Sequence, residues 1–267
     1  VVAAVTFAEL VARLRAAGCV FAEDEARLLL EEVGSLGEPT LLEDAVRRRE
    51  AGEPLETVLG WVEFCGSALA VVPGVFVPRR RTELLVRLAL EHWRDGGILV
   101  DLCTGNGAVP AAFLDAHRFL AGAWPEVYAV DIDPVAVECA RRNITATGVH
   151  LLTGDLDEPL PPRIAGRVTV MTANAPYVPS AQIPFMPREA RDFEPRHTLD
   201  GGPDGVALHR RIAALAPSWL EPGGHLLVES SERQASLTAD AMTDAGLETS
   251  VVRDESLEAT VVVGVRR

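Results

Sequence analysis

The stretch "TANAPYVP", residues 172 to 179, directly follows the β-branched run "RVTVM", so Asn174, Ala175, Pro176 and Tyr177 stand at the end of a strand. An amide and a phenol in that place could meet a ligand. They equally suit a plain turn, because Asn and Pro are turn formers on backbone grounds alone. A second group bears on the choice. The segment "VDLCTGNGAVP", Val100 to Pro110, is a glycine-containing turn that opens a helix. Gly105 and Gly107 let the backbone pass close to a ligand that a side chain would block. The next strand ends in "YAVDIDP", which places Asp131 about 24 residues past the glycine turn, where doubly wound folds use an acid to accept hydrogen bonds from ribose hydroxyls. A turn plus a helix start explains two glycines as well; the pair of turn and acid is far more specific.

What the turn lacks narrows the ligand. A dinucleotide turn needs three glycines around a pyrophosphate, whereas the third position here falls on Pro110 and no Gly-Lys-Ser/Thr follows. A cofactor with ribose and adenine but no phosphate fits better, and S-adenosylmethionine is such a cofactor. The following strand ends at "TGDLDEPL", where Asp155 is placed to contact the adenine edge or to serve as a surface turn acid.

The elements that must hold these groups fall into three stretches. Residues 1–52 read as helices only, with Thr6 as an N-cap and Gly18 as a stop, and their apolar positions recur at three and four, as in a small bundle. Residues 53–81 alternate and are broken by Gly66, Pro73 and Gly74, which suggests a β-hairpin linker. Residues 82–267 alternate helix and strand, with strands near "ILVDLC", "EVYAVDI", "VHLLT", "RVTVMTA", "GHLLVES", "ETSVVR" and "ATVVVGV". That pattern predicts an α/β fold with a seven-stranded, mostly parallel sheet covered on both faces, and the short "DESLE" predicts an antiparallel edge hairpin at the C-terminal end.

Composition excludes several function classes. All 25 cationic residues are Arg, so a lysine Schiff base is ruled out, and the net charge of −14 opposes a phosphate backbone. The "RRR" runs at 47–49 and 79–81 read as solvated faces or linkers. Four scattered cysteines without a CxxC pair argue against a disulfide framework or a zinc site. With no signal-like segment and no apolar run of about 18 residues, the expected setting is cytoplasmic, with no membrane and no direct nucleic-acid partner.

Taken together, "DLCTGNG", "AVDIDP", "GDLDEPL" and "NAPYVP" resemble the class I methyltransferase series, whose fold is Rossmann-like. The rest of the chain narrows the resemblance to the glutamine N5-methyltransferases that modify peptide chain release factors. Pro78, Arg79, Thr82 and Glu83 match that family's Pro-Arg-x-x-Thr-Glu linker. The segment "DFEPRHTLDGGPDGVALHRRI" matches its Phe-Glu-Pro stretch and helix entry, and "LEPGGHLLVESSERQ" matches its Pro-Gly-Gly strand followed by Glu and Gln. The match covers roughly residues 45 to 267, and the family also carries a short helical N-terminal domain.

The resemblance implies a methyl transfer from S-adenosylmethionine, leaving S-adenosylhomocysteine, to the side-chain amide nitrogen of a protein glutamine. It implies a cofactor site of Asp101, Cys103, Thr104, Gly105, Asn106, Gly107, Asp131, Ile132, Asp155, Leu156 and Asn174, and a substrate site of Asn174, Tyr177 and Glu194. Catalysis would fall to Asn174, the carbonyl of residue 175, Pro176 and Tyr177, and the N-terminal bundle would recognise the substrate protein. Three positions depart from the family pattern: Cys103 stands for the loop's first glycine, Ala175 for the first proline of Asn-Pro-Pro-Tyr, and Arg81 for an acid before Thr82. The first is expected to be mild because Cys is small, and the third to alter the charge at the site's mouth. Glu229 is expected to brace the tetrapeptide, and His197 and His209 to be structural or solvated. Alternatives from other classes are methylation of another protein glutamine, a small amide or a nucleic-acid amine, and a cofactor-binding adaptor without catalysis.

Overall fold

The computed structural model describes residues 5–119 and 122–267. Four helices come first, α1 (Phe7–Ala16), α2 (Ala22–Glu32), α3 (Pro39–Glu50) and α4 (Leu55–Leu59). Thr6 caps α1 through a capping box with Glu9, satisfying donors that the first turn leaves unpaired. Leu10, Leu14, Ala26, Leu29, Leu42 and Val46 close a separate apolar core, to which Leu55, Val58 and Leu59 also contribute.

The stretch 53–81, expected to be a hairpin throughout, is therefore partly helical. Leu55, Val58 and Leu59 keep the spacing of a helix face, and the left-handed Gly60 (φ 83°) ends that helix. Only then do β1 (Trp61–Phe64) and β2 (Ser67–Ala70) pair as an antiparallel hairpin.

The rest is α5 (Glu83–Glu91), β3 (Ile98–Leu102), α6 (Ala108–His117), β4 (Glu126–Asp131), α7 (Pro134–Asn143), β5 (Val149–Thr153), β6 (Val168–Ala173), α8 (Arg188–Phe193), α9 (Ala207–Trp219), β7 (Leu220–Glu229), α10 (Ala235–Asp244), β8 (Leu247–Asp254) and β9 (Ala259–Arg266). The seven strands run β5-β4-β3-β6-β7-β9-β8, parallel except for β9, which pairs antiparallel with both neighbours. Strands β3 and β6 are buried along their whole length, as parallel strands covered on both faces must be, which is why "ILVDL" and "VTVM" are continuously apolar save for one acid and one threonine. Neighbouring residues part to opposite faces: Leu99, Val170 and Leu227 pack under α5 and α6, while Val100, Met171 and Leu226 pack with Ile212, Ala213 and Ala216 of α9.

After β3 the chain builds β4 and β5 on one side, then returns to build β6 on the other. The carboxyl ends of β3 and β6 therefore splay at a topological switch point, where open α/β sheets bind their ligands. Two structures close over that point. Ala70 at the end of β2 donates its N–H to the Asn143 Oδ1 at 2.7 Å and accepts from the Asn143 and Asn106 side chains at 3.0 and 3.2 Å, so the hairpin is pinned to the glycine loop. From the bundle, Arg49 lies buried between Glu25 and Glu189, each at 2.6 Å, tying α3 to α8.

Candidate active site

A cavity of about 540 Å³ opens at the switch point. Asp101, Cys103, Thr104, Gly105, Asn106, Asp131, Ile132, Asp155, Leu156, Asn174, Ala175, Pro176, Tyr177 and Glu194 all line it. Of the residues expected from sequence, Gly107 alone stands outside the lining. A Cβ on Gly107 would lie 2.9 Å from the Ala140 Cβ and the Ile144 Cδ1, and its φ is +78°. Gly107 thus serves the close packing of α6 on α7.

The loop after β3 is built for a ligand to come close. The Gly105 N–H donates to the Asp131 Oδ2 at 2.8 Å, the Asp133 N–H donates to the Asp131 Oδ1 at 3.0 Å, and the Thr104 N–H donates to the Val130 carbonyl at 3.0 Å. Those bonds hold the ends of β3 and β4 in one frame. A Cβ added to Gly105 would meet nothing within 4 Å and would project into open space beside the loop. Cys103 has φ +57°, in the left-handed region that costs a side-chain-bearing residue roughly 1–2 kcal/mol. The replacement of glycine at this position is therefore a matter of backbone conformation, where size alone suggested a mild change.

Asp101 sits fully buried, its Oδ1 accepting from the Thr172 hydroxyl at 2.6 Å across the paired strands. Burial pushes its carboxyl up to about 7, against the hydrogen bond from Thr172. Asp131 is also pushed upward by burial, opposed by its two backbone donors. Asp155 is held by Arg211 at 2.9 Å, a partner on α9 that sequence spacing gave no means of finding.

At the far wall the chain leaves β6 into Asn174-Ala175-Pro176-Tyr177. Ala175 is buried among Val228, Ile212 and Ala213, so its methyl faces the core. The tetrapeptide's backbone is locked by later segments: the Gln234 amide donates to the Tyr177 carbonyl at 2.7 Å, and Val178 and Ser180 donate to Leu199 and Gly202. Gly201 and Gly205 let that contact close; a Cβ on Gly205 would fall 2.4 Å from the Tyr177 carbonyl oxygen. The Tyr177 hydroxyl donates to Glu229 at 3.4 Å, and burial beside that acid pushes the phenol up to about 12. Asn174 donates from its Nδ2 to the Thr82 hydroxyl at 3.2 Å, and Arg81 approaches Glu229 at 3.6 Å. Glu194 is buried and paired with Arg79, with its second carboxylate oxygen unpartnered.

The two histidines separate clearly. His209 is fully buried, its Nδ1 on the Thr238 hydroxyl at 2.8 Å, and burial lowers its pKa to about 4. His197 is half exposed and faces Asp133 at 3.6 Å.

A glycine loop, strand-end acids and an Asn-initiated loop around one cavity, on a sheet of this order, define a class I methyltransferase fold. A 16S rRNA N2 methyltransferase of T. thermophilus, solved with AdoMet and guanosine, shares that fold with a TM-score of 0.53 at 19% identity, over 78% of this chain and 50% of its own. No protein-family model matches the chain. Curated relatives match it over most of its length. The release factor glutamine methyltransferase of Mycolicibacterium smegmatis is 36% identical, with 88% of this chain and 82% of the relative covered. That of Moorella thermoacetica is 35% identical, with 89% and 88% covered. The chain belongs to the release factor glutamine methyltransferase family.

Proposed function

We propose that this protein methylates the side-chain amide nitrogen of a protein glutamine, the glutamine of a release factor's Gly-Gly-Gln loop, with S-adenosylmethionine as donor. The observation that carries this reading is that Asn174 and the backbone of residues 175 to 177 open into the same cavity as Gly105 and Asp131. The cavity fits the cofactor: open space beside Gly105, acids at two strand ends, and apolar walls from Val109, Ile132 and Leu156. Asp131 would hold the ribose and Leu156 with Asp155 the adenine side. Bound there, the cofactor supplies an electrophilic methyl on a cationic sulfur.

The acceptor is a carboxamide nitrogen, a poor nucleophile because its lone pair is delocalised into the carbonyl. This chain's part is to orient it and to accept its N–H bonds, so that density is drawn toward nitrogen as positive charge develops. The Asn174 Oδ1 is one acceptor and the Ala175 carbonyl the other. Ala175 retains that carbonyl, and Pro176 after it disfavours the α region, so the missing proline leaves the mechanism available. Tyr177 walls the amide; its phenol, pushed up to about 12, stays neutral at working pH. His209 is not a base for this step, since it lies fully buried. No base is needed early, because a methylated amide nitrogen sheds its proton readily.

Asp101 gives a pH prediction. Its folded pKa, about 7, lies above the 3.8 of an ordinary Asp, so the folded form keeps the proton over a window in which the unfolded chain has lost it. Ionisation of Asp101 therefore lowers stability as pH rises from near 3.8 through about 7, unless a cation arrives beside it. A cationic cofactor should accordingly bind with proton release near neutrality and weaken as pH falls below about 7. Isothermal titration calorimetry of S-adenosylmethionine in buffers of different ionisation enthalpy checks this; affinity independent of pH from 5.5 to 8 would contradict it.

We further propose that the N-terminal bundle docks the release factor, with Arg49 linking that bundle to α8 beside the acceptor wall, in the cytoplasm where translation ends. Among the described residues no helix is long and apolar enough to cross a membrane. The function is tested with methyl-labelled cofactor and a purified release factor: label should enter the wild-type factor and not its Gln-to-Ala variant. Label in neither, or equally in both, would overturn the reading.

A further inference from the structure

We infer that Arg81 holds the α-carboxylate at the methionine end of the cofactor, a contact that the acid of the family pattern at this position has no means of making. The inference rests on the proposed function for its cofactor and adds a binding residue to that site.

S-adenosylmethionine brings a carboxylate into the cavity along with its sulfonium, and the lining opposes that charge. Asp101, Asp131, Asp133, Asp155, Glu194 and Asp200 all border the cavity. A charge taken out of water without a partner is costly, so the carboxylate needs a cation beside it. The chain has no Lys, and three guanidiniums line the cavity, those of Arg79, Arg81 and Arg211.

Two of the three are committed elsewhere. Arg79 donates to the buried Glu194, and Arg211 donates to Asp155 at 2.9 Å, at the end proposed for the adenine. Among the described residues the only acid paired with Arg81 is Glu229, at 3.6 Å, a separation too long for a hydrogen bond. Burial raises the pKa of the Glu229 carboxyl, which weakens its hold on a cation further. The Arg81 side chain is 46% exposed where it lines the cavity, so its donors stand open to a ligand.

The place of Arg81 in the chain puts it at the right end of the cofactor. It precedes Thr82, whose hydroxyl accepts from the Asn174 Nδ2 at 3.2 Å, and Asn174 stands at the wall proposed to receive the methyl group. Two methylenes separate the cofactor's sulfur from the carbon that bears the carboxylate, so a sulfur beside that wall keeps the carboxylate close to it. The planar fork of a guanidinium matches the two oxygens of such a group, and hydrogen bonds between ions are the strong ones.

Binding alone tests this, with no methyl transfer required. By calorimetry Arg81→Gln should bind S-adenosylhomocysteine about 10–100-fold more weakly than the parent, with a melting temperature close to the parent's because the side chain is half exposed. Decarboxylated S-adenosylhomocysteine, which keeps the amine and lacks only the carboxylate, should bind the parent and R81Q equally. Arg81→Lys should recover part of the loss, since it restores the charge without the fork. R81Q that binds S-adenosylhomocysteine as tightly as the parent, or that loses as much affinity for the decarboxylated compound, would overturn the inference; so would a variant whose only defect is a raised KM for the release factor, which would assign Arg81 to the protein substrate. A parent that binds S-adenosylhomocysteine in this pattern yet transfers no methyl group overturns the proposed function and leaves the role of Arg81 standing. A parent that binds none overturns both.

Discussion

Asn174→Ala should lower kcat/KM for release factor methylation about 10²–10³-fold, the loss expected when one preorganised partner of a developing charge is removed. Stability should change little. Asn174 is only partly buried and has one side-chain hydrogen bond, to the Thr82 hydroxyl. Cofactor affinity should fall far less than turnover, since Asp131 and the Gly105 loop are untouched. Single-turnover transfer measured beside calorimetric binding of S-adenosylhomocysteine distinguishes the two effects. A variant that binds normally and methylates as fast as its parent would support the adaptor alternative and remove Asn174 from the mechanism.

Gly205→Ala should be comparably severe through structure. Gly205 has φ +79°, and a Cβ there would lie 2.0 Å from the Gln234 Nε2 and 2.4 Å from the Tyr177 carbonyl oxygen. The Gln234 amide is what ties the Tyr177 carbonyl to Asp204, so relief of the clash must move the tetrapeptide or break that tie. The left-handed backbone costs roughly 1–2 kcal/mol and overpacking roughly 1–3 more, giving a loss of roughly 2–5 kcal/mol in stability. Methyl transfer should be nearly abolished in whatever fraction folds. Denaturant unfolding and transfer assays on Gly205→Ala beside Gly66→Ala check this. Gly66 is also left-handed, but a Cβ there meets nothing within 4 Å, so its cost should be confined to the backbone.

The contrast between these glycines shows what was legible in the sequence. The seven strand segments, the glycine turn and Asp131 were readable because each rests on local pattern: a continuous apolar run for a doubly covered strand, a fixed offset for turn and acid. The helix Leu55–Leu59 was missed because five residues carry barely more than one turn of period, and its anchor is a bundle core contributed from far upstream. At Gly107 the sequence shows that a side chain is missing without showing what fills the space. Here the space is filled by Ala140 and Ile144.

Long-range polar partners were the least accessible. Thr82 was noted as part of a linker motif, yet nothing 92 residues away in sequence signals that its hydroxyl meets Asn174. Arg211 on Asp155 and Asn143 on Ala70 are of the same kind. Each is a hydrogen bond between elements far apart in the chain. Arg81 was legible as a departure in charge, and the structure gives that charge a partner in Glu229.

The central claim is that the Asn174 wall and the Gly105 cradle act on one glutamine amide. Mass spectrometry of the Gly-Gly-Gln peptide from a release factor incubated with the enzyme and S-adenosylmethionine tests it most directly. The account predicts a single added methyl group on the glutamine side chain, absent when Asn174 is alanine. An unmodified glutamine beside full cofactor binding, or a methyl group on any other residue, would contradict it.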